Sequence, residues 1–180
     1  FALRPRHSTS NLIAMLPIVA LFLLASDAFP TSPRALPPSF VERPCSEAAI
    51  RQIARCGVVA VPEDRGARAG RTIDLNIIIL RSVRPDPALP PQYDLEGGPG
   101  LAVTESVAFY LSDGAAYRAN RDIVLIDQRG TGGSNRLSCP ELEALEASSQ
   151  EMFPATSVEQ CRAEVMAHSS PAHYGTRAAV

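Results

Sequence analysis

Two short predicted strands, each running directly into a glycine-rich loop, constrain the fold of this chain most. Residues 123–126 read Ile-Val-Leu-Ile and are followed by residues 127–134, which contain three glycines. Such an unbroken apolar run is typical of a strand covered on both faces. A second short predicted strand at 92–95 leads into residues 96–100, which contain three further glycines. Because ligands of α/β sheets bind beyond the carboxyl ends of the strands, both loops are candidate sites.

The remaining periodic segments predict an α/β fold. Apolar segments at 57–61 and 72–83, joined by a turn with Gly66 and Gly70, predict an antiparallel hairpin. A strand–helix–strand unit covers residues 92–126, and we expect helices to cover the sheet. The predicted helices comprise residues 47–55, a segment carrying Val103, Val107 and Leu111, and residues 140–149 and 157–167.

The N-terminal segment has the organisation of a secretory signal peptide. Arg4 and Arg6 precede a charge-free stretch at 12–25, and Ser26 and Ala28 are small residues suited to cleavage after Ala28. The stretch is shorter than the about 20 residues that cross a bilayer as a helix. A membrane anchor and a buried helix are the alternatives. We expect a signal peptide at 1–28, a proline-rich leader at 29–44 and a globular part at 45–180, with membrane contact only during export.

Four cysteines are consistent with an exported protein. Three pairings are possible, and the short separations favour Cys45–Cys56 and Cys139–Cys161. Each bridge would stabilise the fold by roughly 3 kcal/mol in the chain-entropy model. A zinc site is the alternative, but the chain has no C-x-x-C pair and no histidines near the cysteines.

The charge composition does not indicate a nucleic-acid-binding protein. The 17 basic residues, all arginine, and the 19 acidic residues give a net charge of −2. They are spread along the chain and form no basic stripe. The 46% hydrophobic fraction excludes a disordered or fibrous chain.

The loop at 96–100 has the composition of an oxyanion-binding turn. Its sequence, Glu-Gly-Gly-Pro-Gly, leaves backbone N–H groups unscreened by side chains. Such groups can stabilise an oxyanion. A tight strand-to-helix turn without chemistry is the alternative.

The loop at 127–134 allows several interpretations. Asp127 could bind a metal beside a nucleotide, Ser134 could be a nucleophile, or Asp127 and Arg129 could pair or cap the turn. The chain has no lysine for a phosphate loop, and no G-x-S-x-G motif surrounds any serine. The structural interpretation is therefore favoured.

Taken together, the two loops resemble the prolyl-aminopeptidase and tripeptidyl-aminopeptidase branch of the α/β-hydrolase serine peptidases. Members carry an H-G-G-P-G-type loop and then D-x-R-G-x-G-x-S. Residues 56–64 and 138–141 resemble the secreted tripeptidyl-aminopeptidase-like subgroup. The matching positions are Gly97, Gly98, Pro99 and Gly100 in the first loop and Asp127, Arg129, Gly130, Gly132 and Ser134 in the second.

This resemblance implies the N-terminal half of an α/β-hydrolase fold: a mostly parallel sheet, with an antiparallel hairpin at its start, covered by helices. It also implies the strand order 1-2-4-3-5, with the segment at 92–95 beside that at 122–126 and the fifth strand beyond Val180.

The implied activity is that of a secreted serine aminopeptidase that releases short N-terminal units from peptides through an acyl-enzyme, without metal or cofactor. Gly97 and Gly98 would supply the oxyanion donor, most directly Gly98.

The Ser, Asp and His of the triad are expected beyond Val180, so this chain alone should be inactive. Ser134, His168 and His173 do not match their positions, and Glu96 replaces the histidine of many relatives. An exported esterase of the same fold and a non-catalytic, disulfide-stapled binding module are the alternatives.

Overall fold

The fold was obtained as a computed structural model that describes residues 38–67, 69–96, 98, 100–148 and 154–179. The predicted signal peptide and residues 29–37 of the predicted leader lie outside these ranges. Gly97 and Pro99 of the first glycine loop also lie outside them.

Five strands form one mixed sheet in the order β1-β2-β3-β5-β4. Its pairings β1–β2, β2–β3 and β3–β5 are antiparallel, and only β4–β5 is parallel. The strands are β1 (Phe40–Arg43), β2 (Ala54–Pro62), β3 (Thr72–Leu80), β4 (Gln92–Asp94) and β5 (Ile123–Ile126).

The expected mostly parallel α/β-hydrolase sheet is therefore wrong for this chain. Strands β1 to β3 follow one another through short reversals, and short reversals produce antiparallel neighbours. A parallel pair needs a longer crossover, and only the segment between β4 and β5 provides one. The expected pairing of the strand at 92–95 with that at 122–126 is present as β4–β5.

The predicted hairpin is confirmed and is longer than expected. Its register extends from Ala54 opposite Leu80 to Pro62 opposite Thr72. Beyond Pro62, the N–H of Glu63 donates to the carbonyl oxygen of Arg71 at 2.9 Å and closes the turn.

The end of the predicted leader forms strand β1, which the sequence analysis did not predict. Phe40 pairs with Val59, and its ring lies over Gly57. A Cβ atom at Gly57 would lie 2.3 Å from the carbonyl oxygen of Val41 and 2.6 Å from the Phe40 ring. Glycine at position 57 thus allows β1 to approach β2.

Helices are short and follow the predicted segments only in part. The segment at 47–55 contains one 3₁₀ turn, Ala48–Ile50, before β2 begins. A 3₁₀ turn at Val103–Ser106 precedes the first α-helix. The α-helices are α1 (Val107–Leu111), α2 (Pro140–Ser148), α3 (Ala155–His168) and α4 (Thr176–Ala179). Helix α3 extends slightly beyond both ends of the helix predicted at 157–167.

One hydrophobic cluster lies between the sheet and the segment at 103–110. Ile50, Leu80, Ile123 and Leu125 are fully buried in it, and Val107 covers them from α1. Burying an aliphatic side chain of this size contributes about 1.5–3 kcal/mol.

Both predicted disulfides are present. Cys45–Cys56 lies in the hydrophobic cluster with its Cα atoms 5.2 Å apart. Cys139–Cys161 joins the residue before α2 to α3, with a Cα separation of 5.5 Å. Two disulfides indicate an oxidising compartment. None of the helices among the described residues is long and apolar enough to cross a membrane.

Strand β4 should cause self-association of the chain. No strand among the described residues pairs with its outer edge, where Tyr93 and Leu95 are 62% and 70% exposed. Unpaired edges of this kind pair with other chains. We expect residues 29–180 to elute as oligomers or aggregates in size-exclusion chromatography, and Tyr93→Lys to shift the protein toward monomer.

The matched control is Met166→Lys, since Met166 is 54% exposed but lies on helix α3 and not on a strand of the sheet. Its elution should equal that of the unsubstituted protein. A monomeric unsubstituted protein, or equal effects of the two substitutions, would contradict a role for the β4 edge.

Candidate functional site

The Asp127 carboxylate connects the second glycine loop to the segment that follows the first. Asp127 follows β5, is fully buried and accepts four hydrogen bonds through its side chain. Thr104 donates two of them, from its N–H at 3.0 Å and its Oγ1 at 2.9 Å. Asn76 Nδ2 and the N–H of Gly133 donate the others, at 2.9 and 3.0 Å. Asp127 therefore holds β3, its own loop and the segment after the first loop together.

Gly132 makes this arrangement possible. Its φ is +46°, and a Cβ atom there would lie 2.3 Å from Asp127 Oδ2 and 2.6 Å from Cβ of Ala102. Any side chain at this position would push the segment after the first loop away from Asp127.

Ser134 is fully buried and structural in its contacts. Its Oγ donates to the carbonyl oxygen of Asp127 and accepts from the N–H of Asn76, each at 2.8 Å. The hydroxyl joins β3 to the end of β5 and has no surface at which a substrate could reach it.

Arg129 does not pair with Asp127. It is 4% exposed, and its Nη1 donates to the carbonyl oxygens of Glu63 and His173 at 2.7 and 3.1 Å. Burial lowers the pKa of Arg129, and the nearby charge of Arg65 lowers it further. Its Nη2 is buried and has no hydrogen-bond partner within the described part of the chain. Leaving a buried donor unpaired costs about 1–3 kcal/mol.

Glu63 is a buried residue that the sequence analysis did not identify as a candidate site residue. Its carboxylate accepts from the N–H of Ser170 at 2.8 Å, Tyr174 Oη at 3.0 Å and Arg71 Nε at 2.8 Å. Burial by itself would raise the pKa of Glu63, but these hydrogen bonds and the Arg71 charge outweigh it, so the pKa is lowered. Its position directly after a strand-ending proline was the only sequence signal.

The described residues of the first glycine loop are exposed, and hydrogen bonds join Glu96 and Gly98 to residues that follow the loop. Glu96 accepts a hydrogen bond from Ser106 Oγ at 3.1 Å. Gly98 has φ +65° and its carbonyl oxygen accepts from the N–H of Leu101 at 3.3 Å. No residue in the described ranges accepts a hydrogen bond from the N–H of Gly98. The other predicted donor, Gly97, lies outside the described residues.

The two described histidines of the C-terminal segment make backbone contacts, and the carbonyl oxygen of His173 accepts from Arg129 of the second loop at 3.1 Å. His173 Nδ1 is 3.9 Å from Asp64 Oδ1, and the carbonyl oxygen of His168 accepts from Arg71. Within the described ranges, no His, Cys, Asp and Glu side chains group in a way that could hold a metal ion.

Comparisons with known proteins identify no family for this chain: no family model matches it, and no curated protein matches its sequence.

The buried Glu63 should make the free energy of unfolding depend on pH in the acidic range. A carboxylate with a lowered pKa stabilises the fold fully above its ordinary value of 4.5, and this contribution is lost as the pH falls through the folded-state pKa. We expect Glu63→Gln to lower the free energy of unfolding by about 1–3 kcal/mol near neutral pH. The difference from the unsubstituted protein should shrink below pH 4.5, as measured by urea unfolding at a series of pH values.

Glu42→Gln provides the control, because Glu42 also pairs with an arginine, Arg55, but on an exposed surface. Exposed ion pairs contribute about 0–1 kcal/mol. A pH-independent effect of Glu63→Gln, or an equal effect of Glu42→Gln, would show that the buried carboxylate is not responsible.

Proposed function

We propose that this chain is the oxyanion-binding N-terminal part of a secreted serine peptidase of the prolyl- and tripeptidyl-aminopeptidase type. The observation that carries the proposal is the anchoring, by Asp127 of the second loop, of the segment that follows the first loop. Its bonds to Thr104 hold the segment that follows Gly98, while the N–H of Gly98 makes no bond to a described residue. The two disulfides support export, and with it the predicted signal peptide at 1–28.

In this proposal the chain contributes charge stabilisation and no nucleophile. A serine from beyond Val180 attacks the peptide carbonyl, and the N–H of Gly98 donates to the oxygen that becomes negative. A donor that is fixed before the reaction loses little free energy to reorganisation, and removal of one such donor typically reduces turnover by about 10² to 10³. Asp127 acts as a positioning residue, since it touches the loop anchor and not the substrate. No metal or organic cofactor takes part.

The donor role of Gly98 can be tested by replacing its backbone N–H group with an oxygen atom. Proline is unsuitable, because its φ near −65° conflicts with the +65° of Gly98. Glycolic acid in place of Gly98 converts the amide into an ester and removes only the N–H. In the full-length gene product, we expect peptide turnover to fall by about 10² or more with folding unchanged.

The control is the same ester at Gly100, which has φ +94° in the same loop. Its turnover should remain within a few-fold of the unsubstituted enzyme. Near-normal turnover of the Gly98 ester would assign the oxyanion donor to another residue.

Burial of Ser134 predicts that the 180-residue chain does not react with serine-directed probes. A fluorophosphonate needs an exposed, activated hydroxyl, and Ser134 is fully buried with its hydroxyl bonded on both sides. We expect labelling only in a product that extends past Val180. Labelling of the shorter chain at Ser134 would contradict both the burial argument and the assignment of the nucleophile to a later segment.

A further inference from the structure

We infer that an open cleft at one end of the sheet binds a small molecule that carries two or more linked phosphate groups. The cleft encloses about 470 Å³, which lies within the range of about 300–1,000 Å³ typical of small-molecule sites. It is found where β2 begins and β3 ends. Among the described residues, four arginines and one acid line it: Arg43, Arg51, Arg55, Arg81 and Glu42.

The cleft lies at the end of the sheet opposite the second glycine loop. Leu80, the last residue of β3 before the cleft, pairs with Ile123, whereas that loop follows Ile126 at the other end of β5. No described residue of either glycine loop lines the cleft. The inference is therefore independent of the proposed peptidase activity.

Two of the four arginines have no carboxylate partner in the described part of the chain. The salt bridges there involve other side chains than those of Arg51 and Arg81. Both residues are exposed, so a ligand can reach them. Glu42, the acid of the cleft wall, accepts hydrogen bonds from Arg55 through both of its carboxylate oxygens. The cleft therefore contains two positive charges that the acid of its wall does not cancel.

The guanidinium of Arg51 is held in place by neutral groups. Its Nε donates to the carbonyl oxygen of Cys45 at 3.2 Å, and its Nη2 donates to that of Ser46 at 3.3 Å. These oxygens carry no net charge, and Nη1 keeps two N–H groups on the same guanidinium. The backbone of Arg81 is fixed nearby, since its N–H donates to the carbonyl oxygen of Ile53 at 2.8 Å. Both cations are thus positioned before a ligand arrives.

The other two arginines can contribute to binding as well. The hydrogen bonds from Arg55 to Glu42 measure 3.3 and 3.4 Å, longer than the about 2.7–2.9 Å of strong charge-assisted bonds. Arg43 pairs with Asp74 at 2.8 Å, but these side chains are 56% and 43% exposed, and water weakens such a pair. Contact with a ligand therefore costs either arginine little.

Linked phosphate groups suit this arrangement better than a single carboxylate. One exposed ion pair contributes little, so a ligand that contacts one arginine would bind weakly. A phosphate group carries a charge on the order of −1.5 to −2 and three acceptor oxygens, which allows it to bridge two guanidinium groups. A molecule with two or more such groups can contact Arg51 and Arg81 together, and the volume of the cleft accommodates it.

The test is equilibrium dialysis of the full chain against radiolabelled tripolyphosphate, at constant ionic strength and without divalent cations. This measurement counts bound ligand even in associated chains. We expect saturable binding of one tripolyphosphate per chain, and binding of inorganic phosphate and of a tricarboxylate that is weaker by about tenfold or more. Arg81→Gln should weaken tripolyphosphate binding by about three- to fivefold, and Arg51→Gln by at least as much.

Two further variants serve as controls. Arg162→Gln removes an exposed arginine of helix α3 that does not line the cleft, and it should leave the affinity unchanged. Glu42→Gln removes the acid of the cleft wall and should strengthen binding by about two- to threefold.

The inference is overturned if tripolyphosphate binding is absent or does not saturate, or if the tricarboxylate binds equally well. It is also overturned if Arg81→Gln binds like the unsubstituted chain, if Arg162→Gln weakens binding as much, or if Glu42→Gln weakens it. If Arg51→Gln does not fold, as judged by circular dichroism, the comparison of Arg81→Gln with Arg162→Gln decides.

Discussion

The burial of the Asp127 carboxylate determines how the rest of this structure is arranged. A carboxylate removed from water costs several kcal/mol unless hydrogen bonds replace its hydration. Asp127 obtains four such bonds from three different parts of the chain, Asn76 on β3, Thr104 after the first glycine loop and Gly133 in its own loop. Displacing any one of these segments would leave the charge partly unsatisfied. The four hydrogen bonds therefore hold the sheet, the second loop and the segment after the first loop together.

A second buried network, around Glu63 and Arg129, fixes the C-terminal segment in the same way. Ser170 and Tyr174 donate to Glu63, and Arg129 donates to the carbonyl oxygen of His173. These contacts join positions more than 40 residues apart in sequence. The exposed pair of Arg43 and Asp74 is also short, at 2.8 Å, but water screens it and it contributes little. Three buried charged residues, and not the surface ion pairs, thus join the distant parts of the chain.

The sequence predicted the features that depend on local patterns. The apolar run at 123–126, the hairpin between β2 and β3 and the pairing of nearby cysteines need little knowledge of distant residues. The predicted direction of the strands was wrong, because the relative direction of two strands depends on the number of chain reversals between them. Strand β1 was missed because it is four residues long and is recognised only through its contact with Gly57. Glu63 was passed over because its three donors lie at positions 71, 170 and 174.

The position of Asp127 also explains how an exposed glycine loop can serve as a fixed binding element. Glycines at positive φ, such as Gly98 and Gly100, leave the backbone N–H groups uncovered but also leave the loop with few side-chain contacts of its own. A donor in such a loop stabilises charge only if its position is set in advance. In the proposed function, the bonds from Thr104 to the buried Asp127 hold the segment that follows the loop and do not occupy the N–H of Gly98. In the proposed function the second motif supports the first: the side chains of Asp127 and Ser134 form hydrogen bonds within the protein, and the N–H of Gly98 is the donor to the ligand.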